Sequence, residues 1–156
     1  MTWGMQPLVR DDYTAGVEMR LVDYPDDLEL TAGPAPTSGI LQVSSDPVDL
    51  GFIWRVERLT TVVSATVGGS PIATPAGSAF WVYKGVPSLA AGSTPAPIKF
   101  RDGSSAPGLD VADEFNPITV QQGLPLLFYW TGLAPGTYAA VSVQYSLYRR
   151  MITGTG

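Results

Sequence analysis

The sequence predicts an all-β protein: an antiparallel β-sandwich, jelly-roll-like, with an extended N-terminal arm. Three observations predict it. Apolar and polar residues alternate with period two through most of the chain after residue 39, the pattern of strands with one buried face. The 17 glycines and 14 prolines make up about a fifth of the 156 residues, against roughly 12% in average proteins, and they fall between the alternating runs as turns. No segment shows the 3.6-residue period of an amphipathic helix. A hydrophobic fraction of 45% is too high for a disordered chain, and the length fits a single domain.

Residues 1–38 form the arm. A short strand is expected at 18–22, followed by the turn-like Tyr24-Pro25-Asp26-Asp27 and the stop signal TAGPAPTS at 31–38. The sandwich occupies residues 39–149, and 150–156 are a C-terminal tail. Strands are expected at 40–43 (ILQV) and across 51–66, with Phe52, Trp54 and Val56 on one face and Ile53, Arg55 and Glu57 on the other. The run 60–67 (TTVVSATV) is β-branched enough to be a strand, ended by a hairpin-type turn at Gly68-Gly69. Further strands are expected at 79–84 (AFWVYK), 98–101 (IKFR), 117–121 (PITVQ), 125–131 (PLLFYWT) and 137–149 (TYAAVSVQYSLYR). In the last, Ala139, Val141, Val143, Tyr145 and Leu147 form an apolar face, and Tyr138, Ser142, Gln144 and Ser146 look the other way. About seven to nine such strands joined by Gly/Pro turns make a two-sheet sandwich.

The absence of His and Cys removes whole classes of chemistry. Neither a Ser–His–Asp triad nor a Cys–His pair can be assembled, and zinc, copper and haem sites lose their usual ligands. Folding depends on no disulfide. The start, MTWGMQPLVRDDY, has neither the basic nor the apolar region of a secretory signal. The longest apolar stretch, LPLLFYW at 124–130, has seven residues where a membrane span needs roughly 20. The chain is therefore expected to be made in the cytoplasm, without export by its own signal and without membrane insertion. The net charge of −5 is uneven: residues 1–50 hold nine acids and two bases, and residues 51–156 hold five acids and seven bases. An acidic arm ahead of a near-neutral body suits packing against a neighbour, and equally suits a merely solvated segment. No basic stripe exists, so nucleic acid is not an expected partner.

Two acidic clusters are candidate Ca²⁺ ligands: Asp23, Asp26, Asp27 and Glu29, and, more compactly, Asp110, Asp113 and Glu114. Neither has EF-hand spacing, and turn formation, or Asp110 capping one helical turn, explains them more simply. No cofactor is expected. Hydrolysis by two carboxylates would require a cleft that a small sandwich scarcely offers, so no enzymatic activity is expected. The aromatics carry more information. Phe80-Trp81-Val82-Tyr83 and Phe128-Tyr129-Trp130 put rings on both faces of one strand, so one face must meet another sheet, a subunit or a ligand. Stacking on a sugar ring is the alternative to a subunit contact. Gly68-Gly69-Ser70 and residues 132–136 lack the Lys and the helix of a phosphate loop and are turns.

Residues 51–60 (GFIWRVERLT), Asp110-Val-Ala-Asp113, Pro117-Ile-Thr-Val120, Gly123, 127–132 (LFYWTG) and 141–145 (VSVQY) contain two patterns, W-x-V-x-R and I-x-V-x-x-G-x-x-L-x-F-x-W-x-G. In these the chain resembles small jelly-roll virion structural proteins of tailed bacteriophages: the minor tail, baseplate and head-surface proteins of phages that infect Actinobacteria. The resemblance covers about residues 50–148 and not the arm. It implies a non-enzymatic subunit of a virion, in the tail or baseplate before the capsid surface. The partners it implies are other virion proteins and further copies of itself, with a trimer the favoured homo-oligomer. A host-surface glycan is the ligand of the alternative reading, a carbohydrate- or receptor-binding module. The residues expected at partner interfaces are Trp3, Tyr24, Trp81, Tyr83, Tyr129, Tyr138, Tyr148, Arg149 and Arg150.

Overall fold

A computed structural model describes residues 17–90, 97, 99–102, 109–112 and 117–152. The described residues form nine strands: β1 (Val17–Ala32), β2 (Leu41–Ser44), β3 (Phe52–Ser64), β4 (Ala79–Lys84), β5 (Lys99–Asp102), β6 (Leu109–Ala112), β7 (Ile118–Val120), β8 (Leu126–Thr131) and β9 (Tyr138–Ile152). One sheet has the order β1-β9-β3-β6, with β7 also paired to β3, and the other has the order β2-β8-β4-β5. Every pairing is antiparallel. The partners are nested: β4 with β5, β3 with β6 and β7, β2 with β8, β1 with β9. The chain thus behaves as one long double-stranded ribbon wound into two facing sheets, which is the jelly roll expected from the alternation.

The core lies between the sheets. From the larger sheet come Val56, Leu59, Val63, Ile118, Val120, Ala139, Val141 and Val143; from the smaller come Leu41, Phe80, Val82, Leu126, Phe128 and Trp130. The strand β9 keeps the expected alternation, odd residues inward. The strand β3 does not alternate evenly. Val56 pairs with Tyr145 and Arg58 with Gln144, so Glu57 is an extra residue, a β-bulge. Before it Phe52, Trp54 and Val56 face inward; after it Leu59, Thr61 and Val63 do. The bulge moves the inward set from even to odd numbers and keeps one strand of 13 residues against one continuous core.

Three expectations are corrected by the ladder. The run 60–67 is the continuation of β3 as far as Ser64, and the turn at Gly68-Gly69 closes with Gly69 N–H on Thr66 O at 3.0 Å. Asp110 does not cap a helical turn, because it pairs with Thr60 in the ladder of β6. Most consequential, the strand expected at 18–22 runs for 16 residues, and the expected turn at 24–27 lies within it. Between Asp23, opposite Leu147, and Asp26, opposite Tyr145, the ladder is irregular, and Tyr24 and Pro25 occupy that irregularity. Pro25 has no N–H to give, so a bulge on an edge strand tolerates it. Residues 17–32 of the expected arm are thus the outer strand of the larger sheet; residues 1–16 lie outside the described residues.

A buried polar bond ties the two sheets together. The Trp130 indole N–H on β8 donates to Thr61 Oγ1 on β3 at 2.8 Å, and Thr61 in turn donates to Ala140 O on β9 at 2.9 Å. The hydroxyl thereby satisfies a buried donor from the facing sheet while engaging the backbone of its neighbour. Replacing Thr61 with Val keeps the volume but strands the indole N–H. The expected loss is about 1–3 kcal/mol in urea denaturation. Trp130→Phe in the Thr61→Val background should cost less than Trp130→Phe alone, the coupling of a shared bond.

Candidate binding groove and outer aromatic face

The strands of the larger sheet outrun those facing them. β1, β9 and β3 have 16, 15 and 13 residues, whereas β2 and β8 have 4 and 6. Inward-facing apolar residues near one end of the larger sheet consequently find no facing strand above them among the described residues. They line a groove of about 380 Å³. Its floor is Leu28 and Leu30 of β1, Tyr145 and Leu147 of β9, and Phe52 and Trp54 of β3. Trp54 and Tyr145 stack at 4.3 Å between centroids, with 25° between planes. Both remain half-buried. Ser44, Asp46, Pro47 and Asp49 line the opposite side, at the end of β2 and in the loop to β3.

That loop is held by the chain that precedes β8. Ser45 N–H donates to Leu126 O at 2.8 Å, Leu126 N–H returns a bond to Ser45 Oγ at 3.0 Å, and Val48 N–H donates to Leu124 O at 3.1 Å. Gly123 N–H donates to Val48 O at 2.8 Å, and Gly51 N–H to the Gln122 side-chain oxygen at 2.7 Å. Ser45 and Val48 are buried while Asp46 and Asp49 are exposed. The anchors point inward and the carboxylates stand at the groove in solvent. No single residue of this groove carries a recognisable motif; it exists because two sheets differ in length, and alternation places Trp54 and Tyr145 only on one face of their strands.

A second surface lies on the outside of the smaller sheet. Trp81 of β4 pairs with Tyr129 of β8, and Tyr83 packs between strands, 6.5 Å from Trp81 in a near-parallel stack and 6.3 Å from Tyr129 edge-on. The connection after β4 is tied back here: the Gln42 side chain accepts from Leu89 N–H at 2.9 Å and donates to Leu89 O at 3.4 Å. Trp81 and Tyr129 are half-buried, but Tyr83 is only 5% exposed. Of the expected interface aromatics, Tyr83 is thus spent inside the chain.

Tyr148 is also interior, 4% exposed, opposite Ile53 on the outside of the larger sheet. Ser146 donates from Oγ to Glu57 Oε1 at 2.8 Å on the same face, and the Arg55 Nε lies 3.7 Å from Glu57 Oε2. The bulged Glu57 is therefore held by two neighbours. Tyr138 is half-buried and sits over Gly33, where a Cβ would come within 2.7 Å of its ring. Arg149 is exposed, with its guanidinium 5.6 Å from the Phe52 ring centroid at the groove's edge. Arg150 pairs with Met19 and Tyr24 lies in the β1 irregularity, both without a described side chain; Trp3 lies outside the described residues. Of the Ca²⁺ candidates, Asp110 is placed only by its backbone in β6, and Asp113 and Glu114 lie outside the described residues. Asp27 and Glu29 are exposed on β1, and among the described residues no three acidic side chains are grouped to hold a metal.

Comparison with protein-family models gives no match, and none of the curated proteins matches the chain.

Burial raises the pKa of Tyr83 above its ordinary value, with the neighbouring Tyr129 adding to the effect. Burial also raises that of Tyr148; the Arg55 guanidinium opposes this and the Glu57 carboxylate adds to it. A tyrosine that ionises less readily in the fold than in the unfolded chain stabilises the fold fully below about pH 10, and that contribution is lost as pH rises through the folded value. Stability measured by urea denaturation should accordingly fall as the pH rises above about 10, and Tyr83→Phe should make that fall shallower.

Proposed function

We propose that the chain is a non-enzymatic structural subunit of a tailed-phage virion, in the tail or baseplate before the capsid surface, assembling with copies of itself and with other virion proteins. The observation that carries the reading is the outer face of the smaller sheet. Trp81 and Tyr129 lie side by side in the ladder and stay half-exposed on a rigid strand pair. Large rings held in place by a sheet give up little conformational entropy on contact, which is why Trp and Tyr dominate the energetics of interfaces. The low charge of the body lowers the desolvation cost of such a contact. The jelly roll and the resemblance over residues 50–148 agree with this role. An arm that latches a neighbour is confined by it to residues 1–16, because residues 17–32 are paired with β9 of their own chain.

The second reading, a carbohydrate- or receptor-binding module, draws support from the half-exposed Trp54 and Tyr145 in the groove. It loses Trp130 as a platform, since that ring is 2% exposed and bonded to Thr61.

Solution mass tests the assembly reading. The full chain should sediment as an oligomer at about 100 μM, a trimer first, and Trp81→Ser with Tyr129→Ser should yield a monomer whose melting temperature stays within a few degrees. A monomeric wild type, or an oligomer indifferent to both substitutions, sinks it.

A further inference from the structure

The groove between the overhanging sheet and the β2–β3 loop has a one-sided chemistry. Three leucines, Leu28, Leu30 and Leu147, join the stacked Trp54 and Tyr145 in an apolar floor. Asp46 and Asp49 bring two exposed residues with carboxylates to the opposite side, and among the described residues that line the groove there is no Lys or Arg, Arg149 standing at its edge over Phe52. An apolar floor of leucines and stacked rings suits an aliphatic or aromatic side chain. The carboxylates favour a cation next to that side chain and disfavour an anion. Arg149 shows that an apolar ring of the groove accepts a cation over its face, with the guanidinium 5.6 Å from the Phe52 centroid. The loop that presents the acids is fixed by the buried Ser45 and Val48 and by backbone bonds to residues 123–126, so the site is formed before anything enters it.

We propose that this groove receives a segment of a partner polypeptide in which an apolar side chain lies beside a Lys or Arg, the apolar group on the Leu/Trp/Tyr floor and the cation between Asp46 and Asp49. The proposal rests on the assembly reading only in naming a polypeptide as the occupant. It uses a face other than that of Trp81 and Tyr129, so the two fail independently.

The test follows the Trp54 indole resonance of the full-length, ¹⁵N-labelled protein, assigned with Trp54→Phe. Three probes are titrated: the capped tetrapeptide Lys-Leu-Phe-Lys, its charge-reversed counterpart Glu-Leu-Phe-Glu, and methyl glucoside. The basic peptide should shift the Trp54 resonance with a dissociation constant of about 1 mM or below, and the acidic peptide should bind at least about tenfold more weakly. Asp46→Asn with Asp49→Asn should weaken the basic peptide by about fivefold or more, and so should raising the salt from about 0.05 to about 0.5 M. Both aspartates are exposed, so the double variant should keep the melting temperature and the oligomeric state of the wild type. Equal binding of the two peptides, indifference to the double substitution, no shift at all up to about 5 mM peptide, or a shift by methyl glucoside in preference to the basic peptide each overturns the proposal.

Discussion

The double registration of β9 is the constraint on which the other features depend. Its 15 residues pair with β1 on one side and β3 on the other, so its odd-numbered side chains fix which face of both neighbours is inward. A slip of one residue on either side would turn a whole apolar set to solvent. The irregularities in the neighbours are the adjustments that this demands. Glu57 is looped out so that Leu59, Thr61 and Val63 meet the same core as Val56, and Tyr24-Pro25 are accommodated between the Asp23–Leu147 and Asp26–Tyr145 pairs, beyond which Leu28, Leu30 and Ala32 pack against the core. The Trp130–Thr61–Ala140 chain then pins the smaller sheet to β3 and β9 at one buried point.

An edge as long as β1 invites pairing with another chain. Its acidic residues offer a physical role for the concentration of charge in the first third of the sequence. Asp27 and Glu29 are exposed along this edge, and Pro25 interrupts its row of donors. Charge and proline on an outer strand discourage unintended strand addition. The same cluster read by itself invites a cation or an arm; in the ladder its Asp27 and Glu29 stand exposed on an outer strand. Association through the aromatic outer face of the smaller sheet is compatible with this arrangement, because it uses side chains and leaves the β1 backbone alone.

The groove and the outer face share an origin in unequal coverage. The larger sheet extends past the smaller, leaving Trp54 and Tyr145 half-open inside, while on the outside of the smaller sheet Tyr83 is buried and Trp81 and Tyr129 stay half-open. Neither surface is a property of a local motif. Each follows from the lengths of strands and the routes of connections that are distant in the chain.

Sequence alone determined the class of the fold and most of its strands, because alternation and Gly/Pro punctuation are local and survive into the ladder: β2, β4, β5, β7, β8 and β9 lie where the pattern places them, to within a few residues. It also determined the inward face of β9 and the even-numbered face at the start of β3. Three things escaped it for physical reasons. Pro25 and the acids read as a turn, although a bulge on an edge strand absorbs both. The short β6, with Asp110 inside it, has no alternation long enough to register and is held by pairing with β3. Which aromatics are open was settled only by tertiary packing, since Trp81 and Tyr83 share one face of one strand and differ only in what the rest of the chain lays over them. Alternation assigns a side chain to a face; whether that face is covered depends on residues far away in sequence.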